Sequence, residues 1–103
     1  MKVIRKQVRQ VSPQIYRKLH SLNYRDKGDM QWTLQRNRVQ KRGTVHYILD
    51  GDRLIGWSLL FSAHYGPIHC HIYVRKNERR KGYGRRLLRA NVRYTRRLGK
   101  AFK

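Results

Sequence analysis

The run Arg79-Arg80-Lys81-Gly82-Tyr83-Gly84 carries the residue types of an anion site. Its two glycines let the backbone turn sharply and come close to a ligand. A strand-like stretch, Ile68 to Val74, precedes it, and a strongly basic helical pattern running to about Leu98 follows it. The first amides of a helix have no intrahelical acceptor, and the helix dipole favours negative charge there. A phosphate or pyrophosphate suits such an end without side-chain chemistry. The glycine spacing means little without the strand before it and the helix after it.

A second group of reactive types is His69-Cys70-His71. Strand alternation places the two histidines on one face and Cys70 on the other, so neither is set to activate the thiol. Cys70 reads as a small buried hydrophobe, and with no partner cysteine it fits a reducing, cytoplasmic compartment. The trio lacks a second ligand pair, so no metal site is expected. His20, His46 and His64 have less claim to chemistry.

Charge is the other strong fact. The 103 residues hold 26 Lys and Arg against 5 Asp and Glu, a net charge of +21. Half of those basic residues lie from Arg75 to Lys103, where Glu78 is the sole acid. Nucleic acid is the commonest acidic partner in a cell, and anionic membranes or acidic proteins come next. No apolar run approaches the roughly 20 residues that cross a bilayer, and the charged start, Met1 to Arg5, is not a signal peptide.

The elements that position these groups follow from periodicity and turn chemistry. The length suits one domain, 1–103, without repeats or linkers. Met1 to Val11 alternates weakly and reads as an edge strand. Ser12-Pro13 is a helix start, a capping hydroxyl before a proline at the first helical position. Ile15, Leu19 and Leu22 make its apolar stripe. Asn23 to Gly28 reads as a loop, and Met30 to Gln40 as a second helix with Trp32, Leu34 and Val39 apolar. Thr44–Leu49 and Leu54–Phe61 read as strands joined by a tight turn at Asp50-Gly51. Gly66-Pro67 breaks the chain before the third strand, Ile68 to Val74. In the last helix Leu87, Leu88, Asn91, Tyr94, Thr95 and Leu98 share one face, while Arg86, Arg89, Arg93, Arg96, Arg97 and Lys100 share another. The predicted class is α+β, a mostly antiparallel sheet in the order β-α-α-β-β-β-α with helices packed on it.

This order resembles the GNAT superfamily of N-acetyltransferases over about residues 1–98. Arg79, Gly82 and Gly84 match the superfamily's coenzyme signature, Val74 stands where it ends a strand with an aliphatic residue, and Gly56 sits in a strand similar to another of its patterns. The resemblance implies acetyl-CoA as the acyl donor. It implies that amides of about Lys81, Gly82, Tyr83, Gly84 and Arg85 hold the pyrophosphate, that Arg79, Arg80 and Lys81 meet phosphate charge, and that the strand edge at Tyr73, Val74 and Arg75 pairs with the pantetheine arm. An amine then attacks the thioester while a base removes its proton. Carboxylates are scarce, so His71 and His69 are the candidate bases, and the bland alternative is that they line a half-exposed sheet face.

The superfamily usually continues with a strand, a helix and a hairpin beyond the position of Lys103, which implies a minimal or truncated form. A homodimer is one way to complete the acceptor wall. Two readings stay open. One is a minimal N-acetyltransferase whose acceptor is held on a basic surface. The other is a GNAT-like protein without catalysis that binds nucleic acid, or an acidic protein patch, through its basic helix. Small basic members of this kind occur among phage-type proteins.

Overall fold

The computed structural model describes residues 1–22, 29–62 and 68–99. The expected loop from Asn23 to Gly28, the break at Gly66-Pro67, His64 and Lys100 lie outside them. The strands are β1 (Val3–Gln7), β2 (Thr44–Asp50), β3 (Arg53–Ser62) and β4 (Ile68–Val74). The helices are α1 (Pro13–Ser21), α2 (Asp29–Val39) and α3 (Tyr83–Arg97). Short 3₁₀ turns follow β1 and β4. The predicted order β-α-α-β-β-β-α and the α+β class are both observed.

The four strands run antiparallel in the order β1-β2-β3-β4, which puts β1 and β4 at opposite edges. Tyr47 pairs with Trp57, and Trp57 with Tyr73. The β2–β3 register shifts between Ile48 and Leu49, and the adjacent residues Leu54 and Ile55 are buried in different clusters. β3 is buried almost throughout, from Leu54 to Leu60, as a strand covered on both faces must be.

One face packs on α1 and α2. Trp57, Leu59, Val45 and Tyr47 of the sheet meet Leu19, Met30 and Leu34. Each such fully buried side chain contributes about 1.5–3 kcal/mol. Ser12 caps α1 by accepting from the Ile15 amide at 3.3 Å, and Pro13 fills the first turn, as expected. Trp57 Nε1 donates to the Leu22 carbonyl, tying the end of α1 to the sheet. Trp32 and Val39 correct the reading of α2. They are 60% and 82% exposed, and Met30, Leu34, Thr33 and Asn37 form the buried side instead.

α3 covers the other face. Leu87, Asn91 and Thr95 are buried on it, while Leu88 and Leu98, expected on the same side, are half exposed. The apolar part of this layer is small: Ile48, Ile55 and Leu87, with Ile72, Val74 and Tyr83 packed against them. The rest is polar, and it matters below.

Candidate functional site

The end of β4 is fixed before the glycine turn begins. Gly56 of β3 lies opposite Val74, so close that a Cβ there would stand 3.0 Å from the Tyr73 carbonyl oxygen. Glycine is what permits that approach. Past Val74 the Arg75 amide donates to the Ile55 oxygen at 2.8 Å, and Arg75 Nε donates to the Leu54 oxygen at 2.9 Å. Arg75 is therefore turned back onto β3. The Lys76–Glu78 turn follows, and Glu78 is clamped by Arg53 at 2.7 Å and Lys81 at 3.0 Å. Hydrogen bonds from Lys81 and then Arg53 hold the Glu78 carboxyl below its ordinary value of 4.5.

Two residues then take left-handed backbone, Arg80 at φ +67° and Gly82 at φ +88°. Gly82 is the N-cap of α3 and offers no capping side chain. The first backbone bond of the helix runs from the Arg86 amide to the Gly82 oxygen, 3.1 Å. The amides of Tyr83, Gly84 and Arg85 meet no acceptor among the described residues. They sit at the positive end of a 15-residue helix.

A cleft of about 710 Å³ opens there. Its walls are Ile72, Tyr73 and Val74 of β4, Glu78, Arg79 and Arg80 of the connection, and Gly82 to Arg85 at the helix start. That volume lies within the range of pockets that hold a small organic ligand. Arg79 links the walls. Its Nε donates to the Val74 oxygen at 3.0 Å, and its guanidinium lies 5.2 Å from the Tyr73 ring centre. So the cleft gathers eight of the ten residues read as coenzyme-binding. The other two, Arg75 and Lys81, are engaged with β3 and with Glu78.

The Acetyltransferase (GNAT) family profile matches residues 8–102. The chain belongs to the GNAT family. No curated protein matches the sequence. Among solved structures, a GNAT-family protein of Desulfovibrio desulfuricans superposes with a TM-score of 0.73 at 18% identity, over 96% of this chain and 69% of that one. The IAA acetyltransferase of Bacillus cereus superposes with a TM-score of 0.63 at 20% identity, over 97% of this chain and 62% of that one. At these identities the likeness is one of fold. The chain spans about two thirds of the length of each.

In this GNAT chain His69 and His71 lie on the α1–α2 side of β4, the same face as Tyr73. Both rings stack on Phe61, with centroids 5.5 and 5.4 Å away. His71 is two residues from Tyr73 and the cleft; His69 is four. Cys70 faces α3, as alternation required, and accepts a 3.0 Å contact from Asn91 Nδ2. Burial pushes its thiol up, against a smaller opposing effect of that contact.

Sequence reasoning passed over a buried polar cluster that joins α3 to β2, β3 and β4. His46 Nδ1 lies 2.6 Å from Asn91 Oδ1, and Ser58 Oγ donates to the same oxygen at 2.9 Å. Burial lowers the His46 pKa below 6.5, Asn91 opposes this, and Arg5 adds to it. Asn91 was legible only as a polar residue on an otherwise apolar helix face.

Of the expected nucleic-acid-binding residues, Arg86, Arg89, Arg93 and Arg97 line a second cleft between α3 and β1, together with Lys2 and Arg5. Arg96 is exposed but is not in its lining. No local pattern around Lys2 or Arg5 marks β1 as a neighbour of that row.

Proposed function

We propose that this GNAT chain transfers an acetyl group from acetyl-CoA to an amine. The observation that carries the reading is the unpartnered start of α3, set at a left-handed glycine and opening on the cleft at the end of β4. The amides of Tyr83, Gly84 and Arg85 would hold the pyrophosphate, and Arg79, Arg80 and Arg85 would balance its charge. Tyr73 and Val74 would lie along the pantetheine arm. The coenzyme supplies an activated thioester, whose carbonyl carbon the amine nitrogen attacks as the C–S bond breaks.

His71 would take the proton that the amine releases, being the nearer of the two β4 histidines to the cleft. His69 would serve as packing against Phe61. The acceptor would be carried on an acidic molecule, since a surface at +21 repels a basic one.

The test is thermal unfolding with and without millimolar acetyl-CoA. A ligand at 100 times its dissociation constant stabilises by about 2.7 kcal/mol, a shift of several degrees for a chain of this size. Desulfo-CoA should give a comparable shift, since the phosphate contacts do not involve sulfur. No shift with either compound ends the acetyl-CoA reading.

A further inference from the structure

The cleft between β1 and α3 lies across the sheet from the glycine turn and is about 710 Å³. Six cations line it: Lys2, Arg5, Arg86, Arg89, Arg93 and Arg97. No acid does. The ion pairs among the described residues, Arg53 and Lys81 on Glu78, are elsewhere. Like charges at three- and four-residue spacing on a helix repel, so this row is stabilised when anions enter it.

The shape of the row limits the ligand. Arg86 to Arg97 spans eleven residues, about 16 Å of helix. One phosphate cannot fill it, so the ligand carries anions in series. Guanidinium groups match phosphate by paired hydrogen bonds, and they match carboxylate equally well.

The floor of the cleft separates these two. His46 lines it. Asn91 gives its amide to Cys70 and accepts from Ser58 through Oδ1, so the proton of the 2.6 Å contact is on His46 Nδ1. Nε2 is then a lone-pair acceptor. It meets no partner among the described residues, and the ring, 3% exposed, is among the residues that line the cleft. An acceptor among six donors calls for a ligand that is anionic and also offers a hydrogen. Carboxylate side chains at neutral pH have none to offer, and an acidic peptide offers only main-chain N–H groups set back from its charges. A ribose–phosphate chain has a 2′-hydroxyl at every nucleotide.

We infer that the β1–α3 cleft binds the backbone of an RNA strand, with the arginines on phosphates and His46 Nε2 accepting from a ribose hydroxyl. This inference does not rest on acetyl transfer, because binding is measured without coenzyme.

The experiment is fluorescence anisotropy of the full chain with a labelled 12-mer oligouridine RNA, the matching DNA, and polyglutamate, between 50 and 200 mM salt. Each single-strand phosphate contact contributes about −0.7 to the slope of log affinity against log salt, so contacts from the five arginines give about −3.5. The charge reversals R89E with R93E should lower RNA affinity at least tenfold and flatten the slope by about 1.4. The pair R17E with R42E carries the same change of net charge on exposed residues outside the cleft, and it should do much less. RNA should bind several-fold tighter than DNA. The inference is overturned if the two pairs weaken binding equally, if RNA and DNA bind alike, or if polyglutamate competes as well as RNA. Matching melting temperatures of the two double variants show that both fold.

Discussion

His46 Nδ1 and Asn91 Oδ1 lie 2.6 Å apart although the residues are 45 positions distant in the chain. This contact is the polar centre of the α3 layer. Asn91 is fully buried and holds Ser58 and Cys70 as well, so removing its amide leaves the His46 Nδ1–H and the Ser58 hydroxyl without partners. An unsatisfied buried donor costs about 1–3 kcal/mol. N91L is therefore expected to lower the unfolding free energy by about 2–4 kcal/mol, read as a fall in the urea midpoint at unchanged slope. S58A removes one donor and its own need for a partner together, and should cost about 1 kcal/mol or less. Equal losses for the two variants would deny Asn91 its central place.

The same contact sets a pH dependence. Burial lowers the His46 pKa, so the folded state binds its proton less readily than the unfolded chain does. The stability from neutral His46 is complete above about 6.5 and is lost as pH falls through the lowered folded value. Glu78 has the same sign, with its loss beginning only near 4.5, because Lys81 and Arg53 hold its carboxylate. Urea midpoints should therefore fall in two stages on acidification. H46F should remove the upper stage and leave the lower one. A midpoint that stays flat from pH 7 to pH 5 in the wild type would contradict the buried neutral imidazole.

Much of this was readable from local pattern. β4 begins at Ile68 and ends at Val74 as its apolar run does, and Ser12 caps the helix that Pro13 opens. The glycine turn was legible because φ > 0 and a helix start are written in neighbouring residues. What could not be read depends on long-range partners. Nothing near His46 announces Asn91, and nothing near Arg5 announces that β1 will lie beside the arginine face of α3. Arg75 is basic and adjacent to the site, yet its amide completes the β3 pairing. Trp32 is apolar, yet α2 turns Met30 and Leu34 inward and leaves the indole against Arg36, 5.1 Å from its ring centre.

Gly82 and Gly56 separate two uses of glycine. A Cβ on Gly82 would touch nothing within 4 Å, so G82V costs only the left-handed backbone, about 1–2 kcal/mol. The strain is relieved by moving the turn, so the acetyl-CoA melting shift should disappear. A Cβ on Gly56 would meet the Tyr73 oxygen at 3.0 Å and Val74 at 3.3 Å, both backbone. G56V should therefore cost more stability than G82V, about 3 kcal/mol or more, by pushing β3 and β4 apart. Thermal melts of both variants check the order, and the reverse order would place the tight contact elsewhere.

His71 and His69 share a face of β4 and a common partner in Phe61, so they form an internal comparison. If His71 accepts the amine proton, H71Q should lower kcat by about 10²–10⁴-fold, the usual contribution of a general base. The acetyl-CoA melting shift should survive in that variant, because the amides proposed to hold the pyrophosphate are on α3. The pH profile of the remaining activity should also change shape, which a packing role would not predict. H69Q should keep kcat within a few-fold, since its ring lies a further two residues from the cleft. With a small primary amine as acceptor and free thiol as the readout, equal losses in the two variants would mean that both rings act only by holding Phe61. Retained kcat in H71Q would move the base to another group.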